Sequence, residues 1–270
     1  MQATEYSKGI IMEKSVIVDK KDGKGIITIN RPQVLNALDW DAFFTLQDEF
    51  NTLLDDESIK VIIITGAGNK SFISGGDIGA ELKMNALESY RWALTGHKLC
   101  SSIEDSPKPV IAAVNGYSLG GGLEIMLACD FIICSDNAKF GSPEVSLGVI
   151  GGFGGNIRLP RKIGPTKAKE ILMTGKFIDA QEAYRLNLVN KVVDQAELMK
   201  EVDIFCEDLL NKNAITLDFI KKAVHYGMET DLHTAIEYEA GLFGVICSTE
   251  DKIEGMTAFL EKRKPIWKSK

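Results

Sequence analysis

Short β-branched runs alternate with helix-like stretches through the first half of the chain, and this alternation limits the fold more than any other feature. Helix-like periodicity lies at about residues 39–55, 80–105 and 121–129. Strands that alternate with helices form parallel sheets. After residue 160 helix follows helix, so we predict an α/β protein whose helical C-terminal part packs on the sheet or on a neighbouring subunit. The β-branched runs are GIITIN (25–30), VIIITG (61–66), PVIAAVNG (109–116) and DFIICS (130–135).

Composition and charge exclude several classes of protein. The 270 residues are 45% hydrophobic, enough for a sizeable core, and the formal net charge is -7. Nucleic-acid binders neutralise phosphates with clustered Lys and Arg, so a general nucleic-acid partner is excluded. The N-terminal segment lacks an apolar signal core, and no later stretch has the roughly 18 apolar residues that a membrane span needs. We expect a cytoplasmic protein without membrane contact, with residues 1–14 as an N-terminal tail.

The cysteines and histidines do not form a recognisable site. The chain has 5 Cys and 3 His, and the cysteines form no CxxC pair. Disulfide frameworks and zinc sites usually show regular spacing, which is absent here. Cys129 and Cys134 lie in the apolar segment IMLACDFIIC and are expected to be small buried hydrophobic residues. We therefore predict no metal site and no Ser/His/Asp triad.

The glycine-rich stretches do not fit the known nucleotide-binding loops. A dinucleotide fingerprint requires G-x-G-x-x-G, and three G-x-G pairs in this chain lack the third glycine. A G-x-x-x-x-G-K-[ST] loop is also absent from the sequence. We therefore expect no nucleotide cofactor. The residues at the third glycine's place are Ser71, Ile125 and Ile157.

A different use of glycine is indicated in NGYSLGGGLEIMLACD (115–130), where Gly120 and Gly121 precede a helix that carries one acid, Glu124. The first backbone N–H groups of a helix have no intrahelical partner, and donors aimed at a developing oxygen anion form an oxyanion hole. Glycine leaves room for a carbonyl to approach. From this stretch alone, an equally good explanation is that the glycines permit close packing of helix on sheet.

Two further stretches favour the oxyanion hole. KSFISGGDI (70–78) also follows a predicted strand, so the two turns could each place one N–H beside a single carbonyl. In the stretch 139–160, Glu144 follows Pro143 and precedes five glycines within residues 148–155. A carboxylate between a proline and such a loop is poorly explained as a solvated surface charge.

Four motifs resemble the enoyl-CoA hydratase/isomerase, or crotonase, family, in register from about residue 15 to residue 267. The resemblance implies a crotonase-like spiral of ββα units at 15–195, a helical C-terminal oligomerisation region at 196–270, and a homotrimer or homohexamer. It also implies an acyl-CoA thioester as substrate, so that coenzyme A is part of the substrate and not a cofactor. The motifs are RPQVLNAL (31–38), FISGGDI (72–78), PVIAAVNGYSLGGGLEIMLACD (109–130) and AKFGSPEVSLGVIGGFGGNIRLPRKIG (138–164).

The resemblance also implies roles for individual residues. The oxyanion-hole amides match Ser74 and Gly121. The acids match Glu144, as the main proton donor to Cα, and Glu124, which orients and helps deprotonate the water. Lys262 would reach the coenzyme A phosphates from an adjacent subunit, although its segment EKRKP resembles an ordinary solvated charge run. Further substrate-binding residues are expected to be Gly75, Gly76, Asp77, Ile78, Gly120 and Gly152.

Several positions depart from the family pattern. Gly151 stands where Pro is common, Ser74 where Ala is common, and Gln33 where Lys is common. Gly151 could loosen the loop that faces the acyl chain, and Phe153 could narrow the pocket. Asp77 has a second explanation as a helix-capping residue. The resemblance thus leaves the acyl group undetermined.

Three functional hypotheses remain from the sequence. The leading one is a reversible enoyl-CoA hydratase, because both glutamates are present. The second is another reaction on the same site, by a cyclic enoyl-CoA hydratase, isomerase, hydrolase, decarboxylase or dehalogenase. The third, a non-catalytic acyl-CoA-binding scaffold or a peptidase on the related fold, is disfavoured because a scaffold is expected to lose one acid and a serine peptidase needs a nearby His.

Overall fold

The main sheet is a six-stranded structure that follows directly from the apolar runs. The computed structural model describes residues 14–268. The strand order is β1-β2-β3-β5-β7-β10, in which β1 and β2 are antiparallel and the other neighbours are parallel. β3 and β5 are buried along their whole length, as expected for parallel strands covered on both faces. The strands are β1 (Val16–Lys21), β2 (Lys24–Ile29), β3 (Val61–Gly66), β5 (Val110–Val114), β7 (Phe131–Ser135) and β10 (Lys191–Val193).

A second sheet of short strands runs beside the first, in the order β4-β6-β8-β9. β4, β6 and β8 each follow a strand of the main sheet and precede helices, so a ββα unit is repeated three times. This repeat is the predicted spiral, and the predicted α/β fold class is confirmed. The strands are β4 (Ser71–Ile73), β6 (Tyr117–Leu119), β8 (Lys139–Gly141) and β9 (Ile178–Asp179).

The helices of the core begin at clear capping residues. The side chain of Asp39 accepts a hydrogen bond from the Ala42 N–H at the start of α1, and Asn85 with Glu88 forms a capping box at the start of α3. The single helix expected at 80–105 is in fact two, α2 and α3. The helices are α1 (Trp40–Asp55), α2 (Ile78–Glu81), α3 (Ala86–Glu104), α4 (Gly121–Ala128), α5 (Gly155–Ile163), α6 (Pro165–Thr174) and α7 (Ala180–Arg185).

The C-terminal part is helical, but its first helix belongs to the core. Leu198, Val202 and Cys206 of α8 are buried against the face of the main sheet that carries Ile63 and Ile111. The expectation of helices alone after residue 160 missed β9 and β10, whose two and three residues show no periodicity. The helices are α8 (Leu198–Leu210), α9 (Ala214–Gly227), α10 (Leu232–Ile246) and α11 (Glu250–Leu260).

The last three helices expose many apolar side chains. Phe243, Phe259 and Leu260 are 67%, 82% and 79% exposed. Exposed apolar surface of this extent is typical of a face that another protein covers. Part of the predicted tail, residues 1–13, lies outside the described residues. Between residues 14 and 268, no helix is long and apolar enough to cross a membrane.

Candidate active site

The two glycine turns predicted to act together meet in the structure. β4 and β6 are parallel neighbours, so the turns that follow them lie at the same edge of the small sheet. A Cβ built on Gly121 would lie 4.0 Å from the backbone N of Gly76, and one built on Gly120 would lie 3.7 Å from the Cα of Gly75. The positive φ angles of Gly75 (119°) and Gly120 (51°) are conformations that other residues rarely adopt. The backbone of the two turns is therefore in close contact.

One predicted oxyanion-hole amide needs correction. The N–H of Ser74 donates a hydrogen bond to the carbonyl of Leu35 (N to O, 3.2 Å), so it is not available to a substrate. Gly76 lies two residues after Ser74, and the backbone of Leu38 bonds to the groups on both sides of it. The Leu38 N–H donates to the Gly75 carbonyl, and the Leu38 carbonyl accepts from the Asp77 N–H (both 2.9 Å). This pairing directs the N–H of Gly76 to the opposite side, towards Gly121. Gly76, expected only as a binding residue, is the better donor.

The amides of Gly76 and Gly121 have no hydrogen-bond acceptor among the residues that the structure describes. Gly121 is the first residue of α4, where the N–H has no intrahelical acceptor. Within residues 14–268, neither amide donates a hydrogen bond outside regular helices and strands. Two neighbouring free donors, one of them at the positive end of a helix, suit a developing oxygen anion.

Glu124 lies in the first turn of α4 and is 3% exposed. Its Oε1 accepts hydrogen bonds from the backbone N–H groups of Phe153 (2.9 Å) and Gly155 (2.7 Å). Burial raises the pKa of Glu124 to about 7, and the charge of Glu144 acts in the same direction, while the two backbone hydrogen bonds oppose them. Glu124 can therefore gain or lose a proton near neutral pH.

Glu144 lies beside the second glycine turn. It lies in a 3-10 turn at Pro143–Leu147, and its Oε2 accepts a hydrogen bond from the Ser142 hydroxyl (2.7 Å). Its Oε1 would be 2.7 Å from a Cβ built on Gly120. The carboxyl of Glu144 thus lies beside Gly120, the residue that directly precedes α4, and Glu124 lies in the first turn of that helix. The structure thus brings together Glu124, Glu144, Gly120 and Gly121, as the sequence predicted.

An aromatic cluster forms one wall of the site. Phe153 is 4% exposed, and its Cε2 would lie 3.4 Å from a Cβ built on Gly121. Its ring packs against Trp92 and Phe43, with centroids 5.2 and 5.5 Å apart. Trp92 in turn contacts Trp40, at 4.2 Å between centroids. Phe153 therefore borders the free amide of Gly121 with its ring and holds Glu124 with its backbone.

Arg158 fixes the loop that carries these backbone donors. Its guanidinium forms a two-point ion pair with Glu104 (2.6 and 2.5 Å) and donates to the carbonyl of Phe153 (2.8 Å). The loop, and through it the carboxyl of Glu124, is thus anchored to the end of α3.

A third carboxyl group at the site was missed by the sequence reasoning. Glu81, in α2, is partly buried and accepts a hydrogen bond from the indole N–H of Trp92 (3.3 Å). A Cβ built on Gly76 would clash with its Oε1. Burial raises the pKa of Glu81, and the charges of Glu144 and Asp77 raise it further. No motif marks this residue, because its place in the site depends on the packing of α2 against α3.

The remaining predicted binding residues differ in their surroundings. Asp77 caps α2 by accepting hydrogen bonds from Gly79 N–H (2.9 Å) and Ala80 N–H (3.2 Å). Ile78 is 51% exposed beside it. Gly152 lies in the loop that ends at Gly155, where a Cβ would meet Ala93 at 3.8 Å.

Lys262 follows α11 and is exposed. No hydrogen bond or ion pair between described residues joins it to the site, so its predicted role is untested. In the described part of the chain, no group of three or more His, Cys, Asp or Glu could hold a metal ion.

Comparison with known proteins agrees with this geometry. A model of the enoyl-CoA hydratase/isomerase family matches residues 19–270. The chain is 45% identical over 257 residues to a crotonyl-CoA hydratase of Syntrophomonas wolfei, covering 95% of this chain and 99% of the relative. It is 42% identical over 254 residues to a short-chain-enoyl-CoA hydratase of Clostridium acetobutylicum, covering 94% and 97%.

Solved structures show the same fold. The crystal structure of an enoyl-CoA hydratase from Bacillus anthracis superimposes with a TM-score of 0.91 at 35% identity, covering 95% of this chain and 100% of that one. The chain belongs to the enoyl-CoA hydratase/isomerase family. The predicted family, the predicted fold and the predicted enzyme type, an enoyl-CoA hydratase, are confirmed.

Proposed function

We propose that this protein reversibly adds water across the 2,3 double bond of a short enoyl-CoA thioester, and that Glu124 and Glu144 carry out the proton transfers. The observation that carries this proposal is the meeting of both acids with two free backbone amides at one sheet edge. The printed names of the two relatives, crotonyl-CoA hydratase and short-chain-enoyl-CoA hydratase, support the substrate class.

The amides of Gly76 and Gly121 would bind the thioester oxygen. Attack of water at Cβ moves the electrons of the double bond towards that oxygen, which becomes an enolate oxygen. Two donors already in place stabilise this charge more than they stabilise the neutral substrate, so the barrier falls. The removal of one such donor typically costs on the order of 10²- to 10³-fold in rate.

The two acids divide the proton transfers. Glu124, in its ionised form, takes a proton from water while the hydroxyl group bonds to Cβ. Glu144, in its protonated form, gives its proton to Cα as the enolate returns to the thioester. The product is a 3-hydroxyacyl-CoA, and the two acids have exchanged protonation states. A proton that returns from Glu124 to Glu144, directly or through solvent, completes the cycle, and the reverse sequence is dehydration.

The assembly and the setting are also part of the proposal. We propose a cytoplasmic homotrimer or dimer of trimers without a cofactor, in which the exposed apolar side chains of α9 to α11 are covered by another subunit. Lys262, exposed at the end of α11, would approach the coenzyme A phosphates of an adjacent subunit. Size measurement in solution tests the assembly independently of activity.

A panel of enoyl-CoA thioesters tests the function directly. The purified protein is mixed with crotonyl-CoA and with longer, branched and cyclic enoyl-CoAs, and the absorbance of the conjugated thioester is followed. We expect loss of absorbance with 3-hydroxyacyl-CoA as product. A shift of the double bond, free coenzyme A or carbon dioxide as the main product would instead indicate an isomerase, hydrolase or decarboxylase. No turnover of any member would contradict an enzyme of this class.

A further inference from the structure

Glu81 is a carboxyl group at the site that the hydration mechanism does not use. Its Oε1 occupies the space where the Cβ of any residue other than glycine at position 76 would lie. The amide of Gly76 is one of the two donors proposed to hold the thioester oxygen. The carboxyl of Glu81 therefore borders the place where the acyl part of the substrate enters.

The carboxyl of Glu81 is only partly satisfied by the protein. In the region 14–268, its single side-chain hydrogen bond is the one from the Trp92 indole to Oε1, and no Lys or Arg forms an ion pair with it. Oε2 accepts no hydrogen bond from described residues. Asp77, its acidic neighbour, is by contrast satisfied by the first amides of α2. Glu81 is of intermediate burial, so Oε2 is open to accept a hydrogen bond from a bound ligand in place of water.

The surroundings of Glu81 favour a positive partner. Asp77 and Glu144 are acidic neighbours of the carboxyl, and no basic side chain among the described residues pairs with it. Trp92, which donates a hydrogen bond to Glu81, packs in the aromatic cluster with Phe153 and Trp40. Trp40 is 39% exposed, and an open aromatic face beside a carboxylate attracts groups that carry partial or full positive charge.

We propose that Glu81 is a specificity-determining residue that binds a hydrogen-bond donor or a cationic substituent at the far end of the acyl chain. The proposal rests on the proposed function, since the ligand is an acyl-CoA thioester. The preferred substrate would be a short acyl-CoA with a hydroxyl or ammonium group beyond the reacting carbons. An unsubstituted chain would bind less tightly.

Binding of unreactive saturated thioesters tests this without catalysis. Isothermal titration compares butyryl-CoA with 4-hydroxybutyryl-CoA, which carries a neutral donor, and with 4-(trimethylammonio)butyryl-CoA, which carries a fixed cation. We expect the wild-type protein to bind at least one polar ligand about tenfold more tightly than butyryl-CoA, in line with a hydrogen bond or charge pair to a carboxylate. The ligand that is favoured identifies the substituent.

Two variants separate specificity from a structural role. Glu81→Met keeps the length of the side chain and should abolish the preference, with little change for butyryl-CoA. Glu81→Gln can still accept from the Trp92 indole, and should keep a preference for the hydroxyl but lose one for the cation.

Three results would overturn the proposal: equal or weaker wild-type binding of both polar ligands, no binding of any of the three, or an unchanged preference in Glu81→Met. Hydration of crotonyl-CoA by the same preparations reports separately on the proposed function.

Discussion

The carboxyl Oε1 of Glu124 accepts a hydrogen bond of 2.7 Å from the backbone N–H of Gly155, the first residue of α5. A helix N-terminus favours a negative charge on its partner, whereas burial favours the neutral acid. Burial is the larger effect, and it raises the pKa of Glu124 to about 7. The free amide of Gly121 and the carboxyl of Glu124 are thus placed by the starts of two helices, α4 and α5.

The first prediction concerns the pH dependence of hydration. Glu124 must be ionised to accept a proton from water, and it becomes protonated as the pH falls through about 7. We therefore expect kcat/KM for crotonyl-CoA to fall on the acid side of an apparent pKa near 7. Initial rates from pH 5.5 to 9 provide the measurement, and Glu124→Gln should lack this limb. A profile that is flat across neutral pH in the wild type would argue against this role.

The second prediction concerns stability. Because the folded-state pKa of Glu124 is above its ordinary value of 4.5, the folded protein keeps a proton that the unfolded chain releases. The contribution of Glu124 to the free energy of unfolding is therefore fully present below about pH 4.5 and is lost as the pH rises through about 7. Glu124→Gln, which keeps an oxygen acceptor for Phe153 and Gly155, should raise the free energy of unfolding by about 1–3 kcal/mol at pH 8, and by much less at pH 5.

Denaturant unfolding at both pH values measures this difference. Glu57→Gln, at an exposed position, is the matched control and should give the same small change at each pH. If Glu124→Gln raises the free energy of unfolding equally at both pH values, the burial of the Glu124 charge is not the cause of that increase.

Sequence reasoning located the helix start where the signal is local. A strand followed by glycines predicts that α4 begins near Gly121, with Glu124 in its first turn, as the structure has it. At the other turn the structure favours Gly76 over Ser74, because Ser74 donates its N–H to Leu35, whereas the pairing of Leu38 with the groups on both sides of Gly76 leaves the Gly76 N–H unused among the described residues. That pairing joins positions far apart in the chain and leaves no periodic pattern.

Glu81 shows a second limit of the same kind. Its carboxyl lies against Gly76 and accepts a hydrogen bond from Trp92 of α3, and neither contact leaves a pattern in the sequence. The helical C-terminal part was predicted correctly from periodicity, whereas the docking of α8 on the main sheet depends on tertiary packing.

The third prediction separates the loss of the Gly121 N–H from the effect of added bulk at this position. Gly121→Pro removes the N–H at the first position of α4, where a helix tolerates proline. Gly121→Ala adds a carbon in contact with Phe153 but keeps the N–H. We expect kcat of the proline variant to be on the order of 10²- to 10³-fold below that of the alanine variant. Equal kcat values in the two variants, both folded by circular dichroism, would exclude this amide as a donor.

The fourth prediction concerns the anchor of the glycine loop. Arg158→Met leaves the Phe153 carbonyl and Glu104 without their shared partner, so the free energy of unfolding should fall by about 1–3 kcal/mol, and kcat should fall as Glu124 loses its fixed donors. The matched control is Arg161→Met, which loses an exposed pair with Glu229 and should change stability by less than about 1 kcal/mol. Thermal unfolding and crotonyl-CoA kinetics check both variants. Equal changes in stability and kcat in the two variants would contradict the role of Arg158 as the anchor of the glycine loop.

The hydration rate of Glu144→Gln and of Glu124→Gln, each with the best enoyl-CoA of the panel, tests the central claim most directly. Both variants keep the size of the side chain but cannot exchange a proton. If the two acids share the proton transfers, each substitution lowers kcat by on the order of 10²- to 10⁴-fold while the protein stays folded. A wild-type rate in either variant would contradict the two-acid mechanism.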